Sequence, residues 1–66
     1  MTITINGKPE VLEGSTVLEV LKLKDIDPQM VAVELNTQII ERDQLATTSI
    51  KEGDQVEFLF YMGGGS

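Results

Sequence analysis

The chain has 66 residues, 11 acidic and 5 basic, with a net charge of −6 and neither cysteine nor histidine. That length supports one small domain with no deep internal cleft, and the missing residue types exclude disulfides, thiol chemistry and the usual ligands of structural zinc. The acidic balance, with Lys8, Lys22, Lys24, Arg42 and Lys51 scattered, lacks the clustered cations that nucleic acid or an anionic membrane requires and suits a basic protein partner.

Met1 to Asn6 alternates with period two, which predicts a half-buried strand with Ile3 and Ile5 facing inward. Asn6-Gly7 is a hairpin turn signal, because both central residues must take positive φ. Lys8 to Glu13 returns as a second strand, and Pro9, which cannot donate to a ladder, puts it at an edge. Gly14 ends it. A helix follows: Thr16 and Glu19 have capping-box spacing, and Val17, Leu18, Val20 and Leu21 form its apolar face. Lys22 and Lys24 suit the negative end of the helix dipole, and Asp27-Pro28 is expected to stop the helix.

Met30 to Leu35 reads as a third strand, with Val31, Val33 and Leu35 on one face and Ala32 and Glu34 on the other. Asn36-Thr37-Gln38 turns the chain into a short strand at Ile39-Ile40. Arg42 to Leu45 predicts one helical turn, and Glu52-Gly53-Asp54 a tight turn within a hairpin. Gln55 to Tyr61 is the last strand, with Val56, Phe58 and Phe60 inward and Glu57, Leu59 and Tyr61 outward. A hairpin, a helix crossing one face and later strands completing a mixed sheet make the α+β β-grasp plan. Residues 1–61 form that domain, and residues 62–66 form a separate glycine tail.

No run of residues is apolar and long enough for a membrane span or a secretory leader, so the cytoplasm is the expected location. Conventional catalysis finds no footing either. No serine or threonine has an evident activating partner, and the carboxylates are dispersed. Asp25, Asp27 and Asp54 fit turns better than acid–base chemistry. No catalytic residue, metal site or bound cofactor is expected.

The tail, Met62-Gly63-Gly64-Gly65-Ser66, is chemically distinctive. Glycine has no Cβ, so such a segment threads a narrow channel and brings its backbone against a partner's active site. Met62 to Gly65 spans at most about 14 Å when extended, enough to deliver a carboxylate while the folded body stays outside. A flexible linker has the same composition. Leu59 and Tyr61, on the face shared with Ala32 and Glu34, are a candidate docking patch beside that tail.

Taken in order, the Asn6-Gly7 hairpin, Gly14-Ser15-Thr16-Val17, Val31-Ala32-Val33-Glu34-Leu35-Asn36, Ile39-Ile40 before Arg42, Glu52-Gly53-Asp54-Gln55-Val56 and Gly64-Gly65 resemble the ThiS family. More broadly, they resemble the ubiquitin-like ThiS/MoaD carriers. The resemblance covers essentially the whole chain and rests on order, spacing and length together.

It implies a ubiquitin-like β-grasp fold and a sulfur carrier of thiamine biosynthesis that is a protein substrate, not an enzyme. A ThiF-type adenylyltransferase, resembling ubiquitin-activating enzymes, would consume ATP to adenylate the carboxylate of Gly65. Sulfur would displace AMP to leave a thiocarboxylate, and the carrier would pass it to a ThiG-type thiazole synthase. Gly63 and Gly64 would supply unobstructed backbone. Molybdopterin synthesis, cysteine or methionine biosynthesis after C-terminal trimming, a ubiquitin-like modifier and a plain binding module are the alternatives. Ser66 departs from the family pattern, since Gly65 cannot become a thiocarboxylate while its carboxyl group is held in a peptide bond. Ser66 is therefore trimmed, foreign to the natural chain, or a mark of different chemistry.

Overall fold

The computed structural model describes residues 1–61. Five strands make one mixed sheet: β1 (Thr2–Ile5), β2 (Lys8–Val11), β3 (Val31–Leu35), β4 (Gln38–Ile40) and β5 (Gln55–Phe60). Their spatial order is β2-β1-β5-β3-β4, with β1 and β5 parallel and the other pairs antiparallel. The chain thus forms a hairpin, crosses one face with helix α1 (Val17–Leu23), builds a second hairpin and threads its last strand between the two. Pro9 lies on an edge strand, as its missing N–H requires.

Local chemistry sets these elements. Asn6 and Gly7 both take positive φ, giving the tight turn between β1 and β2. Asn36 and Thr37 do the same between β3 and β4. Alternation along the strands buries Ile3, Ile5, Val31, Val33, Val56 and Phe58 on one face. Val17, Val20 and Leu21 of α1, each fully buried, close over them, and Leu45 and Ile50 complete the core.

Several expectations change. The Thr16 side chain accepts from the Glu19 N–H at 3.2 Å, but the Glu19 carboxylate reaches one residue past the expected reciprocal partner. It accepts from the N–H of Ser15 at 2.7 Å and its hydroxyl at 2.8 Å. The helix does not run to Asp27-Pro28. Asp25 adopts the left-handed conformation, its N–H donates to Lys22 O, and the Ile26 N–H reaches back to Leu21 O at 2.9 Å. This is a Schellman stop, tightened because Ile26 packs on the core. Asp27 instead caps a 3-10 turn, Pro28–Met30, by accepting from Gln29 N–H.

The turn at Glu52-Gly53 also lies outside any hairpin, because β5 pairs with β1 and β3 and not with the segment preceding it. Asp54 is more than a turn residue. It accepts from Lys51 N–H at 2.8 Å and from the Asn36 amide at 3.1 Å, tying the two turns together.

Candidate functional site

Gly63, Gly64 and Gly65 lie outside the described residues, as does the boundary expected at residue 62. The structure does describe the point from which the chain departs. β5 is the central strand, paired with β3 along Val56–Phe60 and with β1 only at Gln55 and Val56. Its pairing with β1 ends early, at Ile5 with Val56. Asn6 then continues the ladder with its side chain: its oxygen accepts from Phe58 N–H at 2.8 Å and its amide donates to Phe58 O at 3.4 Å. On the other side, Tyr61 N–H donates to Met30 O at 3.0 Å. The last described residue is thus pinned to the sheet.

Around this point the surface turns apolar. Leu59, Phe60 and Tyr61 are consecutive and each about half exposed, at 47%, 54% and 53%. Leu59 faces Ala32 across the β5–β3 ladder, so the predicted pairing on the helix-free face holds. Glu34 lies on the same face, opposite Glu57 on one side and Ile39 on the other. Ile39 is 55% exposed and belongs to the patch, although sequence reading left it out. Its place depends on which residue of β3 it meets, and a strand of three residues has too little alternation to reveal that.

Phe60 is a correction. It points to the helix side, opposite buried Val31, but it is exposed and not part of the core. The physical reason is length. A helix of seven residues spans about 10 Å, whereas a six-residue strand runs to about 20 Å, so α1 leaves the end of β5 uncovered. Both faces of the strand are therefore apolar and open where the tail begins.

Beside Tyr61, a cavity of about 330 Å³ lies between β3, the end of β4 and the 3-10 turn Arg42–Gln44. Val31, Ala32, Ile40, Leu45 and Arg42 contribute to its walls. Among the described residues no group of acidic side chains is arranged to hold a metal. The Ser15 backbone N–H, and then the Ser15 hydroxyl, hold the Glu19 carboxyl below its ordinary range. That is a helix-capping effect at the opposite end of α1 from its Schellman stop, with no catalytic geometry around it.

A mixed five-stranded sheet crossed by one helix, with its central strand leading into a glycine-rich segment, defines a ubiquitin-like β-grasp carrier. The model of the ThiS family matches residues 2–65. The chain belongs to the ThiS family, the sulfur carriers of thiamine biosynthesis. It is 35% identical to the sulfur carrier protein ThiS of Thermus thermophilus, over 96% of this chain and 98% of that protein. The crystal structure of the thiamine biosynthesis protein ThiS from Geobacter metallireducens superposes with a TM-score of 0.82. It is 45% identical and the match covers 98% of this chain and all of that one. A thiazole synthase of Magnetococcus marinus is 36% identical over 98% of this chain, which spans only 20% of that protein's length. Among the described residues, no helix is long and apolar enough to cross a membrane.

Proposed function

We propose that the chain carries sulfur as a thiocarboxylate on Gly65 and delivers it to a thiazole synthase while acting as substrate throughout. The observation that supports this most is the pinned, apolar root of the tail. Met30 and Asn6 hold the end of β5, and Leu59, Phe60 and Tyr61 surround the departure point of Gly63 to Gly65.

A carboxylate resists attack because its negative charge repels nucleophiles and oxide is a poor leaving group. In the proposed sequence, a Gly65 carboxylate oxygen attacks the α-phosphorus of ATP and pyrophosphate departs. The product is an acyl-adenylate. A sulfur nucleophile then attacks the carbonyl carbon, and AMP leaves with the electron pair of the C–O bond. In this reading, ATP and the binding site for it belong to a ThiF-type adenylyltransferase. Gly65 must be terminal at that moment, so Ser66 is removed beforehand. Met62, Gly63 and Gly64 bridge the body and the reacting carbon.

The thiazole synthase partner is supported by the relatives of that name, in which a region of about a fifth of the protein resembles this whole chain. A carrier-like region within a synthase suits two bodies that work against one another. Leu59, Tyr61, Ala32 and Glu34 form the docking patch in this proposal.

Intact-mass spectrometry tests it. The full chain and a form ending at Gly65 are incubated with ATP, a sulfide source and an active ThiF-type enzyme. The expected result is replacement of one oxygen by sulfur on the Gly65-ended form, with the full chain reacting only after loss of Ser66. An adenylate or thiocarboxylate on neither form contradicts the proposal, and adducts to protein lysines instead indicate a ubiquitin-like modifier.

A further inference from the structure

On the helix-free face, β3 and β5 place Glu34 directly opposite Glu57. Two like charges in that position lie about 5 Å apart at Cβ and destabilise a sheet. Among the described residues, no lysine or arginine occupies a strand position on this face. Lys8 pairs with Ile5 and so points to the helix side, Lys24 binds Glu10 at 2.7 Å, and Lys22 sits in α1. Arg42 and Lys51 occupy the 3-10 turn and the loop before β5. Among the described residues neither glutamate makes an ion pair. The pair borders the apolar patch: Ile39 flanks Glu34 on β4 and Ala32 with Leu59 forms the next pair on this face, while Gln55 and Thr4 lie on the other side. An unneutralised carboxylate pair at the border of an exposed apolar patch is a poor solution for a free monomer and a good one for a charged partner.

Resting on the reading of this face as the docking surface, we propose that the partner seats one cationic side chain, arginine or lysine, between Glu34 and Glu57. Apolar partner residues then cover Ile39 and Leu59. Charge complementarity selects this occupant. A second copy of the chain would bring two more glutamates to the same place and a second charge of −6. A basic side chain instead removes the repulsion and gains two charge-assisted hydrogen bonds in a water-poor setting. Arginine fits best, because its planar fork spans two carboxylates.

Isothermal titration calorimetry against the purified thiazole synthase of the same organism tests the proposal, at low salt and at about 150 mM salt. The chains compared are the unaltered one, the double variant Glu34→Gln with Glu57→Gln, Leu59→Ser, and Glu13→Gln as a control remote from the face. The double variant is expected to bind at least about tenfold more weakly, with a shallower salt dependence, while its melting temperature stays level or rises. Leu59→Ser weakens binding too, and Glu13→Gln leaves it unchanged. If Leu59→Ser weakens binding but the double variant does not, the face docks without a cation and the proposal is overturned while the docking face stands. If neither change weakens binding, the docking face itself fails. An equal loss for Glu13→Gln reduces the effect to net charge and overturns the specific seat.

Discussion

On the helix side of the sheet, Ile3, Ile5, Val31, Val33, Val56 and Phe58 are closed to solvent, and a two-turn helix lies across them. On the other side of the same strands stand Thr4, Gln55, Glu57 and Glu34, with apolar residues gathered only near the end of β5. The strands are shared, but the selection on their two faces differs. One face supplies most of the apolar burial that holds so small a chain together. The other is free of that duty, so its Leu59, Ile39 and carboxylate pair are available for recognition. Phe60 marks the border between the two, since it points to the helix side but lies past the helix's reach.

This contrast predicts effects of very different size. The largest belongs to the helix side. Leu21→Ala is expected to cost about 2–5 kcal/mol, by lost transfer energy and a residual cavity. Total stability at this length is of order 3–10 kcal/mol, so urea denaturation should show a chain close to unfolding.

Next is the bracing of the tail root. Asn6→Gly retains the positive φ of the turn but removes both side-chain bonds to Phe58. A loss of about 1–3 kcal/mol is expected, with faster hydrogen exchange at the Phe58 amide as the specific sign. The cap Thr16→Ala should cost about 1 kcal/mol, read from the same denaturation curves.

Ile39→Ser, on the open face, should change stability by no more than about 0.5 kcal/mol yet weaken partner binding in calorimetry. A large stability loss there would break the division between faces.

The smallest effect is at Glu19, an exposed group. Its folded pKa is lowered, so its stabilisation is present above 4.5, its ordinary value, and is lost as pH falls through the lowered folded value. Glu19→Gln should remove that part of the acid dependence and leave the melting temperature at neutral pH only slightly reduced.

Much of this was legible beforehand. Alternation in Met1–Asn6, Met30–Leu35 and Gln55–Tyr61 located three strands and their inward residues, because a period of two is a direct imprint of the pleat. Asn6-Gly7 announced its turn by the conformation it tolerates. What escaped depends on distances between elements. The exposure of Phe60 follows from a helix shorter than the strand beneath it. The stop at Asp25 follows from Ile26 packing against the core. Asn6 as a surrogate strand residue, and Glu57 with Ile39 beside Glu34, both require the register of strands far apart in the chain. Leu59 was readable as an outward residue, but the carboxylate pair became visible only with β3 laid against β5.

The most direct measurement is an amide NMR titration of the labelled chain with its thiazole synthase, using the form that ends at Gly65. Shift changes and line broadening are expected at Ala32, Glu34, Ile39, Glu57, Leu59 and Tyr61, with Val17 to Leu23 of the helix unaffected. Perturbation centred on the helix instead, with the open face silent, would contradict the division of labour between the two faces.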